Sequence, residues 1–497
     1  MKILVNGLLC VALASAAAPA ALAQTKVKVK TKTTGAAPAK PAVAATPAAA
    51  PAPTTPRETP PAGGTPRDFK LPAKEEFTLS NGLKAKLVPY GQVPKVTMMV
   101  AIQAGNVHEE AGQVGVADLL GKLLSEGTAT LSAQQLADKV ARMGGDLSVS
   151  VGMDQTQIYA SCLSEFAPEL SAVLADVVLH PTLPESEFAR VKADFKRQMS
   201  LARAQPGTQA RQKFTAALYG THPYGRPIPS DAEIDALTLA QVKNFYQTQF
   251  GAQRTAVFVA GKFDNAAVRE AITKAWVSMS KGPAPHIEIA KSQTRPDITT
   301  LDRPNAPQST IVIGLPTVDP SHPDFIRTRV MNSLLGGSFG SRITRNIRED
   351  KGYTYSPYSY LETHYRTGNW SQNADVTTQE TGNSLKEIVY EIERLQKTPP
   401  TAEELKGIQN YESGMFVLRN STPGGIIGQL NTLELHGLPD SYLTEQVKNI
   451  NAVTPEQVSE TARKYVRPEA MTIVVVGDKK IIDPQIKKFQ ASRKKAL

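Results

Sequence analysis

The most constraining feature of the 497-residue sequence is an internal duplication. Thr238-Leu-Ala-Gln241-Val242 opens a helical pattern that leads into the strand-like run Thr255–Ala260, closed by Gly261. Thr454-Pro-Glu-Gln457-Val458 does the same and leads into Met471–Val476, closed by Gly477. Thr, Gln, Val and Gly recur at one offset of 216 residues without a gap. The two halves also begin alike. Val96–Ile102 is rich in β-formers and precedes a helical stretch reaching Leu124, and Ser309–Gly314 precedes one reaching Leu335. The repeat predicts two homologous α+β domains, about 75–285 and 300–490, joined by a linker at 286–299, within and just after the Pro-, Lys- and Gln-containing stretch Pro283–Pro296. β-rich and helical runs alternate irregularly in each, so each domain is expected to be a mixed, largely antiparallel sheet covered by helices.

The N-terminus is different material. Lys2, an apolar run from Ile3 to Leu22 and the small-x-small pattern Ala21-Leu-Ala23 read as a signal peptide over 1–23. Residues 24–70 are mostly Ala, Pro, Thr and Lys and read as a disordered tether. Most of the net charge of +10 lies there: eight Lys and Arg between Gln24 and Lys70 face two acids. The folded part is therefore only mildly basic, which argues against nucleic acid as a partner. No later stretch is apolar and long enough to be a transmembrane segment once the signal is removed. Only Cys162 follows the signal, so no internal disulfide is available. An exported chain of this kind is expected in the bacterial periplasm.

Two segments carry chemistry. The first is Gly115-Val-Ala-Asp118-Leu-Leu-Gly121-Lys122-Leu-Leu-Ser-Glu-Gly127-Thr128, followed by a helix whose start, Ser132 with Gln135, has the form of a capping box. This segment resembles the pitrilysin and insulinase family of inverted zinc peptidases, which includes the mitochondrial processing peptidase. Its matching segment reads G-x-x-H-F-L-E-H-x-x-F-x-G-T. There, two histidines at i and i+4 grip zinc, and the Glu between them acts as base on the metal-bound water. Here those positions hold Asp118, Gly121 and Lys122. The family's third ligand falls near Arg197 or Gln198. The seven histidines agree without any alignment: no two lie within five residues, so no local zinc pair exists. Asp118 and Lys122 read as an i,i+4 ion pair on one helix. No residue of this chain is therefore assigned to zinc chemistry, and no cofactor is expected in it.

The second segment runs from Leu335-Gly336-Gly337-Ser-Phe-Gly340-Ser-Arg342 to Ile347-Arg348-Glu-Asp-Lys-Gly352-Tyr-Thr-Tyr355-Ser356. It resembles the family's L-G-G-G-x-S-S-R followed by I-R-E-x-x-G-L-A-Y-S. By that resemblance Arg348 and Tyr355 stabilise the oxyanion of a peptide undergoing cleavage, and Gly336 and Gly337 belong to a flexible substrate-facing loop. His222, in Thr-His-Pro-Tyr-Gly225, reads as part of a structural turn. The resemblance implies a non-catalytic subunit, inactive alone. It would pair as a heterodimer with a zinc-bearing homologous peptidase, zinc residing in that partner, and would bind unfolded peptide substrates. The alternative is a peptide-binding or assembly protein of the same fold with no catalytic partner.

Overall fold

A computed structural model describes residues 69–496. The signal-peptide segment and almost all of the 24–70 segment lie outside the described residues.

Two sheets organise the fold. The first contains β1 (Glu75–Thr78), β2 (Lys84–Pro89), β3 (Lys95–Ile102), β4 (Leu147–Val151), β5 (Thr156–Leu163) and β6 (Thr255–Gly261), in the order β1-β2-β6-β3-β5-β4. The second contains β7 (Ile298–Asp302), β8 (Gln308–Thr317), β9 (Tyr358–His364), β10 (Thr367–Thr377) and β11 (Thr472–Gly477), in the order β7-β11-β8-β10-β9. In each sheet one neighbouring pair is parallel, β2 with β6 and β7 with β11, and every other pair is antiparallel. With β1 set aside, the two orders superimpose strand for strand. The expected pair of homologous, largely antiparallel domains is what the chain forms.

The duplicated signature is a capping device. Thr238 accepts a hydrogen bond from Gln241 N, and the Gln241 side chain accepts one from Thr238 N, which starts the helix Leu239–Gln249. Thr454 and Gln457 repeat this reciprocal pair ahead of the helix Pro455–Tyr465. Each box satisfies two otherwise orphaned backbone donors. Each helix then passes through a short 3₁₀ turn, Ala252–Arg254 or Pro468–Ala470, into a strand buried along its whole length. Ser132 and Gln135 form a third such box, as their spacing predicts.

Central strands bury both faces, and their alternation shows against what. In β3, Met98 and Val100 enter a large core with Val116, Leu120 and Trp276. Met99 and Ala101 point the other way, with Phe258 of β6, onto Ile426, Ile427, Leu430 and Leu433. Those four lie on the helix Pro423–His436, which belongs to the second half. The second sheet mirrors this. Ile311, Ile313 and Val475 enter their own domain's core, while Val312, Val474 and Val476 meet Phe214, Leu218 and Tyr219. These come from the helix Pro206–Tyr219, in the first half. Each sheet is thus covered on one face by a helix of the other half. Ion pairs back both contacts: Lys84 and Lys86 of β2 reach Glu434 at 2.6 and 2.9 Å, and Arg211 reaches Glu362 of β9 at 2.8 Å.

This exchange predicts one unfolding unit. Phe214 is 1 % exposed, so Phe214→Ala should lower the unfolding free energy by about 3–5 kcal/mol. Urea denaturation followed by tryptophan fluorescence should show one transition, shifted to lower urea, since Trp276 and Trp370 report on different halves. Two separated transitions would mean that the halves unfold independently.

Candidate functional site

The helix Val116–Leu123 carries the altered motif. Its N-terminus is set by Gly115, whose φ of +98° places it in the left-handed region. A Cβ there would also come within 2.7 Å of the Phe195 ring, so only glycine is accommodated. Glu109 closes this end of the helix. Its Oε1 accepts hydrogen bonds from Gly115 N and Ala117 N, both at 3.0 Å, and from Asn106 Nδ2 at 3.2 Å.

The three motif positions are each engaged in a new way. Asp118 accepts from Asn106 Nδ2 at 2.7 Å, and burial pushes its carboxyl pKa up. Gly121 lies under β4, where a Cβ would meet Val151 Cγ2 at 2.5 Å. Lys122 donates from Nζ to Gln198 Oε1 at 3.0 Å, across to the helix Glu185–Ala204. The expected Asp118–Lys122 ion pair is therefore corrected: each side chain has a partner from elsewhere in the chain. Gln198 is the neighbour that replaces it, at one of the two places read for the family's third ligand. Arg197 instead reaches Asp194.

Glu109 and Asn106 were missed by sequence reasoning. The only available signal was a carboxylate a few residues ahead of a glycine-started helix, which is too common to single out. Glu109 is 3 % exposed, and its Oε2 is buried without a partner. Burial, with the neighbouring Asp118 charge adding to it, overcomes the backbone hydrogen bonds and pushes its pKa up to about 7.

In the second half, Gly336 and Gly337 do not form a flexible loop. They end a π-helical turn, Ser333–Gly337, that continues the helix Phe325–Asn332. A Cβ on Gly336 would sit 2.5 Å from both Gln372 Oε1 and Ser359 Oγ, and one on Gly337 would sit 2.4 Å from Asn332 Nδ2. These glycines let the turn pack onto β9 and β10, and Gly336 is buried. Just beyond the turn, Phe339 and Gly340 are exposed. Arg342 is committed to a two-pronged ion pair with Glu404.

Arg348 and Tyr355 are brought together. The Arg348 guanidinium carbon lies 4.3 Å from the Phe339 ring centre and 5.2 Å from that of Tyr355. Tyr355 is 80 % exposed and Phe339 69 % exposed. No carboxylate pairs with Arg348 among the described residues. A half-buried cation between two accessible rings is oriented by them and keeps its N–H donors for a ligand. Among the described residues, no hydrogen bond, ion pair or ring contact links this group to Asp118 or Lys122. His222 does serve a turn: its Nδ1 accepts from Tyr224 N, and its Nε2 meets Glu288 O at 3.0 Å.

Comparison with known proteins places this geometry in a family. Residues 89–232 match the family model described as Insulinase (Peptidase family M16), and residues 236–411 match Peptidase M16 inactive domain. The chain belongs to the M16 peptidase family. Among solved structures it is similar to a peptidase M16 inactive domain from Pseudomonas fluorescens, at 25% identity and a TM-score of 0.76, over 82% of this chain and 98% of that one. A protease from Helicobacter pylori shares the fold at 20% identity and a TM-score of 0.77, over 82% of this chain and all of that one. The uncharacterized zinc protease YmxG of Bacillus subtilis is 24% identical over 78% of this chain and 95% of its own length. An uncharacterized zinc protease of Mycobacterium tuberculosis is 25% identical over 84% and 96%.

Zinc, which those relatives' names imply, does not fit this M16 chain's motif positions. They offer a carboxylate held by Asn106, a position with no side chain and an ammonium held by Gln198. Zinc sites use imidazole, thiolate and carboxylate donors, and a fixed ammonium repels the ion. No zinc step is therefore derived for this chain.

Glu109 gives the helix start a pH signature. The folded chain holds its proton up to about pH 7, whereas the ordinary value is 4.5. The stability it contributes is fully present below the ordinary value and is lost as pH rises through about 7. Glu109→Gln keeps an acceptor for Gly115 N and Ala117 N and cannot ionise. Urea unfolding at about pH 5 and about pH 8 should show a smaller drop for the variant than for wild type. An equal drop would assign the pH dependence to other groups.

Proposed function

We propose that this M16 chain is an exported, non-catalytic subunit that holds peptide substrate for a zinc-bearing homologous partner. The observation that carries the reading is the contrast between the two sites. The metal positions are occupied by side chains satisfied by one another's neighbours, Asp118 by Asn106 and Lys122 by Gln198. Arg348, in contrast, is a cation with no carboxylate partner among the described residues, held by Phe339 and Tyr355 at an accessible surface. A guanidinium and a phenol O–H beside each other suit a peptide carbonyl that gains negative charge during attack. One such donor is worth about 3 kcal/mol when it meets the developing oxyanion. The partner would supply zinc, base and water, and the signal-like 1–23 segment would send the chain to the periplasm.

Co-purification from the native host, followed by a peptidase assay with and without chelator, tests this directly. A heterodimer with chelator-sensitive hydrolysis supports the subunit reading, and a stable inactive homodimer supports an assembly or scaffold role instead. In the reconstituted pair, Arg348→Ala or Tyr355→Phe should lower turnover by at least about tenfold, equivalent to about 1.4 kcal/mol. Turnover equal to wild type in both variants would remove the pair from catalysis.

A further inference from the structure

Away from both of these sites, a polar cavity of about 280 Å³ lies where several elements converge. The start of β6, the segment around His286, the β9–β10 turn and the end of the helix Pro423–His436 all line it. Arg254 forms part of its wall and is only 8 % exposed. Its Nε donates to Ala284 O at 3.1 Å, and its Nη1 donates to Gln249 Oε1 at 2.7 Å. Its Nη2 has no hydrogen-bond partner among the described residues. Every acceptor it has is neutral, and burial alone pushes its pKa down, with no carboxylate opposing. A guanidinium drawn into the protein without a counter-ion is stabilised by an anion that reaches it.

The 3₁₀ turn does not by itself require this cation. The second half makes the same 3₁₀ turn into the same central strand with Ala470 where the first half has Arg254. The rest of the wall adds donors. Gln155, 6 % exposed, accepts from Asn431 and Gln157 through its Oε1, at 2.8 and 3.2 Å, which leaves its amide N–H₂ free. Arg366, exposed at the β9–β10 turn, brings a second guanidinium with no carboxylate partner among the described residues. Its φ of +58° belongs to the tight two-residue connection between β9 and β10. The one acid on the wall, Glu434, is neutralised by Lys84 and Lys86.

We propose that this cavity binds an oxyanion, a carboxylate or phosphate group, with buried Arg254 as its counter-ion and Arg366 as its second cation. The volume admits a small acid or the last residue of a peptide, and two guanidinium groups with amide donors match two or three terminal oxygens. The site needs no partner subunit, so it stands or falls separately from the peptidase role.

Calorimetric titration of the full chain decides it, with four probes: tri-alanine with a free C-terminus, tri-alanine amide, succinate and inorganic phosphate. At least one free oxyanion should bind at one site per chain with Kd below about 1 mM, and the amide should bind at least about tenfold more weakly than the free peptide if the peptide binds. Preference for the free peptide identifies a peptide terminus as the occupant, and preference for phosphate or succinate identifies a free small anion. Arg366→Ala, at an exposed position, should keep the wild-type melting temperature and weaken binding about tenfold. Arg254→Met should abolish it. If Arg254→Met does not fold, the Arg366→Ala titration alone decides. No binding of any oxyanion at about 10 mM, or binding unchanged in Arg366→Ala, overturns the proposal.

Discussion

Neither sheet of this protein covers its own second face. Met99 and Phe258 of the first sheet need Ile427 and Leu430, and Val312 and Val474 of the second need Phe214 and Leu218. A central strand with two apolar faces must be covered on both, because each exposed Val, Phe or Met would forfeit about 1.5–3 kcal/mol. The reciprocal loan of one helix by each half therefore makes the halves mutually dependent. It also sets where functional groups can stand. The helix Val116–Leu123 packs on the other face of the first sheet, and the Ser333–Gly337 turn packs on β9 and β10. The cavity around Arg254 exists only because the Pro423–His436 helix, from the second half, ends over the first sheet.

The parts of this arrangement that local chemistry determines were legible in the sequence. A Thr-x-x-Gln box acts within four residues, so its repetition at Thr238 and Thr454 revealed the duplication and, through it, the two related sheets. The exchanged helices were not legible. Both begin with proline and have the same length, Pro206–Tyr219 and Pro423–His436, but each apolar set is fitted to a different sheet. Phe214 and Leu218 share no identity with Ile427 and Leu430 that a repeat search would register.

The candidate sites divide along the same line. That Gly121 and Lys122 supply no zinc ligand follows from residue type alone. What Lys122 does instead depends on Gln198, 76 residues away, and an i,i+4 rule applied to one helix could not supply it. The glycines at 336 and 337 were misread for a related reason. Glycine in sequence signals a loop, but here it marks the close approach of a turn to Ser359 and Gln372, and the two uses look identical without the sheet. Phe339, between them and Arg342, is the residue that the loop reading should have favoured, since a large apolar side chain left exposed needs a reason.

That reason bears on what the second half can do. The stack of Phe339, Arg348 and Tyr355 adds little to folding: cation–π contact at an exposed site is worth about 0.5–1 kcal/mol. Its effect is to restrict a long, flexible side chain whose ordering otherwise costs up to about 2 kcal/mol on binding. An arginine already aligned by two rings meets a ligand with much of that cost settled in the free protein. The first half shows the opposite arrangement. There, Asp118 and Lys122 are each held by a neighbour, Asn106 and Gln198, across the face where the family's motif would stand. Preorganised donors in one half beside self-satisfied groups in the other are the contrast on which the proposed binding role rests.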